Sequence, residues 1–496
     1  MTRVDQNTIV RRDIELDGLA RRRLLVTGVV QGVGFRPHVY GLATRLGLAG
    51  FVGNDSSGVF IELEGPAAAL TMFQEELVAH PPPLAHIETV ATTALPPTGA
   101  HEFTIVHSEA QPAARTLISP DLALCEECLR ELFDPADRRY RYPFTNCTNC
   151  GPRFTIVRDL PYDRPFTTMA DFPLCPKCRR EYEDPRNRRF HAQPNACPVC
   201  GPQVQFCWGV GSREWGVGSG EFGAQRAPRN GMAFQSVDSN GGTSKVGEAA
   251  IVAAQRVLAE GGVVAVKGIG GFHLACDATN DHALQMLRER KGRVDKPFAL
   301  MVRNVETVRQ IAHIDDAELA LLTGRERPIV LLRKRDGSPL SALVAPGNGY
   351  IGIMLPYSPL HYLLLNPSEA SYPFPTPHAP CPILVMTSGN YADEPIVKEN
   401  EEALEHLSEL ADAFLLHNRA IHVHCDDSVI RVVDGHELPI RRSRGYAPFP
   451  VKLPFGVPPV LAVGGELKSA FCLTQDRHAF LSQHIGDMQN LETLHA

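Results

Sequence analysis

The chain has 496 residues, 44% of them hydrophobic and 21% charged, with a formal net charge of −7. The length argues for roughly three or four domains, and the charge excludes a general affinity for nucleic acid or anionic membrane. No run of about 18 apolar residues is present to span a bilayer, and the apolar run after Arg21-Arg22-Arg23 ends at Thr27, too early for a signal peptide. The sequence therefore reads as a cytoplasmic, multidomain α/β protein.

Residues up to about 20 read as a polar leader. Arg23 to Val30 reads as a strand, and Gln31-Gly32-Val33-Gly34-Phe35-Arg36-Pro37 as a glycine loop opening onto a helix that ends at Gly47. Leu48–Asn54 and Val59–Leu63 read as hairpin strands, Pro66–Ala79 as a second helix and Phe103–His107 as the last strand. The order βαββαβ predicts a ferredoxin-like sandwich over 22–110. A glycine loop at a helix N-terminus presents several N–H groups and the helix dipole to one anion, and Arg36 adds a bidentate donor. Val30 to Asn54 resembles the acylphosphatase signature. The resemblance implies that Arg36 holds a substrate phosphate and that Asn54 orients the attacking water. His38 lies outside that pattern and reads as structural.

Eight of the thirteen cysteines fall between Cys125 and Gly201, in a module over 120–207, as four Cys-x-x-Cys pairs: Cys125/Cys128, Cys147/Cys150, Cys175/Cys178 and Cys197/Cys200. The block repeats itself: Asp134-Pro135 recurs as Asp184-Pro185, Arg138-Arg139 as Arg188-Arg189, and Gly151-Pro152 as Gly201-Pro202. Two pairs complete a closed four-thiolate shell, so the reading is two structural zinc ions rather than a catalytic metal. A disulfide framework is the alternative, and the cytosolic compartment argues against it. The spacing allows first with second and third with fourth, or first with fourth and second with third. Asp121 to Cys200 holds thirteen Lys/Arg against twelve Asp/Glu, which is not a nucleic-acid footprint. The module reads as a scaffold.

Residues 208–245, where Trp208-Gly209-Val210-Gly211-Ser212 recurs as Trp215-Gly216-Val217-Gly218-Ser219, read as a flexible linker or insertion. From 246 to 450 the pattern is α/β: a helix over Ala249–Ala259, a strand over Gly262–Val266, then Lys267-Gly268-Ile269-Gly270-Gly271 and a helix through Leu284 and Leu287. Lys291, Arg293 and Lys296 follow, cations held by Gly292 and Pro297. The apolar strand from Ile383 ends in Thr387-Ser388-Gly389-Asn390, small polar groups at a strand end where α/β ligands sit. Together these resemble the YrdC-like nucleotide-binding family. The resemblance maps its signature onto Lys291, Arg293, Ser388 and Asn390, with Lys267 and Lys296 as further phosphate contacts. It implies condensation of ATP, as its Mg complex, with a carbamate-type carboxylate. Cys425-Asp426-Asp427-Ser428 and Arg441 to Tyr446 are expected to close over the same cleft. Cys276 and Cys425 read as buried small residues.

Pro448–Pro459 reads as a proline-rich linker, and 457–496 as the truncated start of a further domain. The terminal Ser482-Gln483-His484-Ile485-Gly486-Asp487 resembles the entry to an actin-like carbamoyl-transfer domain. This order of units resembles the HypF carbamoyltransferases of NiFe-hydrogenase maturation. The resemblance implies hydrolysis of carbamoyl phosphate, adenylation of the carbamate to carbamoyl-adenylate, and transfer to the C-terminal cysteine of the partner HypE. With the family's later histidine motif absent, the chain is expected to perform the first two reactions and not the transfer. A threonylcarbamoyl-adenylate synthase acting in tRNA modification is the competing reading.

Overall fold

The computed structural model describes residues 19–55, 58–82, 84–106, 118–160, 162–209, 245–366, 383–391, 394–465 and 469–486. The leader up to residue 18, most of the 208–245 segment including Trp215, and the end of the terminal motif at Asp487 lie outside them. The chain divides into two compact units, one up to Thr116 and one from Leu117.

The first unit runs β1 (Leu19–Val29), α1 (Phe35–Arg45), β2 (Ala49–Asp55), β3 (Gly58–Pro66), α2 (Ala67–Ala79), β4 (His86–Leu95) and β5 (Phe103–Ile105). The sheet order is β4-β1-β3-β2-β5. Central β3 buries Val59, Ile61 and Leu63 on alternate positions, and α2 buries Leu70, Phe73 and Leu77 at helical spacing. One strand differs from the sequence expectation. The closing strand of βαββαβ is β4, antiparallel to β1, and Phe103–Ile105 is an added edge strand parallel to β2. Strand β4 pairs along one edge and is exposed at most positions, so its sequence lacks the apolar alternation that marks a half-buried strand.

The second unit begins with α3 (Glu126–Phe133) and α4 (Pro176–Glu183), one in each cysteine repeat. Next come β6 (Val204–Trp208), β7 (Lys245–Val246), α5 (Glu248–Ala259), β8 (Val264–Lys267), β9 (Phe272–Asp277) and α6 (Asp281–Lys291). Then follow β10 (Ala299–Val302), α7 (Val305–Ile311), α8 (Asp316–Thr323), β11 (Ile329–Arg333), β12 (Tyr350–Met354), α9 (Pro359–Leu365) and β13 (Ile383–Ser388). The unit ends with α10 (Asn400–His406), β14 (Ala413–His417), β15 (Val429–Val433), β16 (His436–Arg441), β17 (Val451–Val457), β18 (Leu461–Val463) and β19 (Phe471–Leu481). Strands β6 to β16 form one mixed sheet in the order β16-β15-β11-β12-β10-β13-β9-β8-β14-β6-β7.

Both faces of this sheet's central strands are covered, while the edge strands β16 and β7 are exposed. Leu274, Cys276, Leu300 and Val385 join a core with α6 residues Leu284 and Leu287. Ala275, Met301, Met354 and Met386 join the opposite core with α5, α9 and the cysteine module's Leu124, Phe144 and Ile156. The module is thus packed into a face of the sheet and shares its core.

Two boundaries move. Trp208 is paired with Ala413 in the large sheet, and Lys245 pairs with Phe206. The expected linker therefore leaves from and returns to neighbouring strands, as an insertion in a hairpin. The proline-rich stretch supplies β17, the edge of a three-stranded sheet ordered β17-β19-β18. Pro454 sits where the register with β19 shifts, a position that needs no ladder donor.

Candidate functional site

In the first unit the loop after β1 turns through Gly32 (φ 70) and Gly34 (φ 75), left-handed conformations that favour glycine. Gly34 caps α1, and Arg36 is buried in the first turn. Gln31 donates from Nε2 to the Gly58 carbonyl at 3.0 Å, tying the loop to the start of β3. Asn54 pairs with Val59 one residue along, so Asn54 lies at the loop's end of the sheet. Asn54 is 3% exposed, and its buried Oδ1 has no hydrogen-bond partner. A buried amide oxygen without a donor is costly, and a water held there would satisfy it.

The cysteines form two clusters, Cys125/Cys128/Cys147/Cys150 and Cys175/Cys178/Cys197/Cys200. Of the two pairings the sequence left open, the structure has first with second and third with fourth. Neighbouring Sγ atoms lie 3.6–3.8 Å apart. Four thiolates at about 2.3 Å from zinc give a tetrahedral edge of about 3.8 Å, whereas a disulfide needs about 2.05 Å. The residues fit a structural zinc in each cluster. The repeats also grip each other reciprocally. Arg138 donates to Cys178 Sγ at 3.2 Å and to Glu181, while Arg188 donates to Cys128 Sγ at 3.0 Å and pairs with Glu131. Each thiolate cluster, negative when it holds zinc, thus receives a guanidinium from the other repeat. This is the physical content of the repeated Arg-Arg.

In the second unit a cavity of about 550 Å³ brings together Lys291, Arg293, Lys296, Ser388 and Asn390, within the size range of small-ligand sites. Lys291 ends α6, with Gly292 as its left-handed cap. Its Nζ donates to the Ser388 carbonyl and to Asn390 Oδ1, both at 2.8 Å. Burial first, then Arg293 and Lys296, pushes Lys291 down to about 7. Arg293 donates to the Pro297 carbonyl at 2.5 Å and lies 5.0 Å over the Phe298 ring. Ser388 donates to Asn390 Oδ1 at 2.7 Å. Gly389 between them lies so close to Phe272 that a Cβ would come within 2.7 Å of its side chain.

Lys267 is not part of this cavity. It is 2% exposed, donates to Asn400 Oδ1 at 2.7 Å and lines a separate small cavity. The strand order explains the separation: Lys267 ends β8 and reaches toward β14, while Ser388 ends β13, two strands away on the other side.

Four family models match the chain: Acylphosphatase at 22–105, HypF finger at 124–157 and 174–207, Telomere recombination at 256–443, and HypF Kae1-like domain at 456–496. Carbamoyltransferase HypF2 of Cupriavidus necator is 50% identical over 486 residues, 96% of this chain and 56% of the relative. The chain belongs to the HypF carbamoyltransferase family. Carbamoyltransferase HypF of Rhizobium leguminosarum is 48% identical, covering 96% and 56%. A crystal structure of full-length HypF in the phosphate- and nucleotide-bound form superposes with TM-score 0.82 at 44% identity, over 96% of this chain and 57% of that one. The T. kodakarensis HypF structure gives 0.81 at 43% identity, covering 96% and 56%. The chain spans a little over half the length of these HypF relatives. Among the described residues no helix is long and apolar enough to cross a membrane.

The cavity of the second unit holds one residue that the sequence reading missed. His273 on β9 lies opposite Ser388 on β13 and meets Asp427 Oδ2 from Nε2 at 2.9 Å. Arg444 donates from Nε to Asp427 Oδ1 at 2.6 Å and spends its other donors on the Glu326 and Arg327 carbonyls. Although burial opposes it, the Arg444 charge and the His273 contact hold the Asp427 carboxyl well below its usual range. Asp426, Asp427 and Arg441 line the cavity, as expected for those loops. Cys276 and Cys425 are buried, also as expected. His273 carried no sequence signal, since a lone histidine in an apolar strand reads as core.

Proposed function

We propose that the chain catalyses two consecutive reactions. At the first site, water attacks carbamoyl phosphate, giving carbamate and phosphate. Arg36 and the loop N–H groups hold the phosphate, and Asn54 Oδ1 accepts a hydrogen bond from the attacking water. At the second site, a carbamate oxygen attacks the α-phosphorus of ATP, entering as its Mg complex; carbamoyl-adenylate forms and pyrophosphate leaves. Lys291, Arg293 and Lys296 offset the charge on the departing pyrophosphate, and Ser388 and Asn390 fix Lys291 at the cavity wall. The carbamoyl group would then pass to the C-terminal cysteine of HypE. The two thiolate clusters would hold structural zinc and take no part in the chemistry.

The observation that carries this reading is the Lys291 contact with Ser388 and Asn390, which joins two signature halves 97 and 99 residues apart at one cavity. ATP–pyrophosphate exchange tests it. Exchange is expected only when carbamoyl phosphate is present. Exchange driven by threonine and bicarbonate instead would move the second site to threonylcarbamoyl-adenylate chemistry.

A further inference from the structure

Lys267 and Arg419 line a cavity of about 20 Å³ between the first cysteine repeat, represented by Phe144, Thr145 and Gly151, and the end of β14 at His417. Arg419 is 6% exposed. Its Nε is buried without a hydrogen-bond partner, and among the described residues its guanidinium makes no hydrogen bond or ion pair. Its one side-chain contact of note is the Phe144 ring, 5.1 Å away. Lys267 hydrogen-bonds only to neutral groups, Asn400 Oδ1 at 2.7 Å and the His417 carbonyl at 3.4 Å. His417 spends Nε2 on the Gly268 carbonyl at 3.1 Å, and its buried Nδ1 has no partner.

Asp121 acts on Arg419, and Glu399 and Glu401 on Lys267, only without a direct ion pair, and two buried cations with no carboxylate in contact are a costly arrangement. The strain is visible in both groups: burial pushes Lys267 down to about 8 and Arg419 to about 10. A single water needs about 10–15 Å³, so the cavity takes a species little larger than that, and no nucleotide or phosphate ester. A guanidinium and an ammonium facing one such space match a planar carboxylate.

We propose that Lys267 and Arg419 form a binding site for one small planar oxyanion of the bicarbonate–carbamate class, separate from the nucleotide cavity. That an anion binds there is independent of the reactions proposed above. That its natural occupant is carbamate, waiting between production and adenylation, rests on them.

The test is thermal unfolding of the second unit against sodium bicarbonate, with sodium chloride at matched ionic strength as reference. The wild-type chain should show a saturable, bicarbonate-specific rise in Tm. Arg419→Met and Lys267→Met should each weaken the apparent affinity by roughly tenfold or more, the loss of a charge-assisted contact, and Arg419→Lys should weaken it less. Two bound zinc ions per chain and retained ATP binding would certify that a variant is folded. Where Arg419→Met does not fold, bromide-soaked wild-type crystals decide: an anomalous peak between Lys267 Nζ and the Arg419 guanidinium supports the site. No bicarbonate-specific stabilisation of the wild type, an unchanged response in folded variants, or no bromide peak at saturation would overturn it. Freshly dissolved ammonium carbamate against ammonium bicarbonate then identifies the occupant. A preference for carbamate ties the site to the relay, and a preference for bicarbonate supports the site but detaches it from that relay.

Discussion

Val30 to Asn54 supply the first candidate site from one contiguous stretch: a loop, a helix start and a strand end. The second is gathered from β9, the end of α6, the end of β13 and loops reaching past residue 480. The first depends on a small sheet alone. The second depends on an eleven-stranded sheet one face of which shares its core with the cysteine module. The difference teaches where each site is vulnerable: the first to local substitutions, the second to anything that loosens the module beneath it.

Metal removal probes that contrast most strongly. Zinc in a four-thiolate site contributes on the order of 10 kcal/mol of folding free energy. Chelation, or Cys147→Ser, should abolish the second unit's cooperative unfolding and its ATP binding while carbamoyl phosphate hydrolysis persists. Calorimetry with a phosphate-release assay checks this, and hydrolysis lost together with the zinc would break the contrast. Next in size, Asp427→Ala leaves Arg444 buried, 1% exposed, without its counter-charge. The expected destabilisation is about 3–5 kcal/mol by denaturant unfolding, confined to the second unit.

Arg36→Ala should lower carbamoyl phosphate hydrolysis about 10²- to 10³-fold with the second unit's stability unchanged. The smallest effect is a proton count. Lys291 sits near 7 in the free chain because it is buried beside Arg293 and Lys296, so much of it is neutral at pH 8. A bound triphosphate favours the charged form and raises its pKa. ATP binding should therefore take up a fraction of a proton at pH 8 and less at pH 6, and affinity should fall as pH rises above 7. Calorimetry in buffers of different ionisation enthalpy reads this directly, and Lys291→Met should remove it.

The same contrast governs what could be read from residues alone. The glycine loop, Arg36 and Asn54 were legible because the first site is local in sequence. The thiolate clusters were legible because two Cys-x-x-Cys pairs are a chemical statement, although only the fold decided which pairs combine. Lys291 and Ser388 could be matched by pattern, but Lys267 could not be placed, because its destination depends on which neighbour β8 acquires. His273 was invisible, since its role comes from Asp427 and Arg444, 154 and 171 residues further along. Strand β4 escaped because an exposed edge strand needs no apolar alternation, and β17 because Pro454 reads as a linker until its place at a sheet edge is known.

One measurement tests the central claim, that two sites act in sequence, most directly. ATP–pyrophosphate exchange would be followed in Arg36→Ala and Lys291→Met, each supplied first with carbamoyl phosphate and then with freshly dissolved ammonium carbamate. The account predicts that Arg36→Ala loses exchange with carbamoyl phosphate and recovers it with carbamate, while Lys291→Met recovers it with neither. Arg36→Ala that stays inactive with carbamate, or that remains fully active with carbamoyl phosphate, would contradict it.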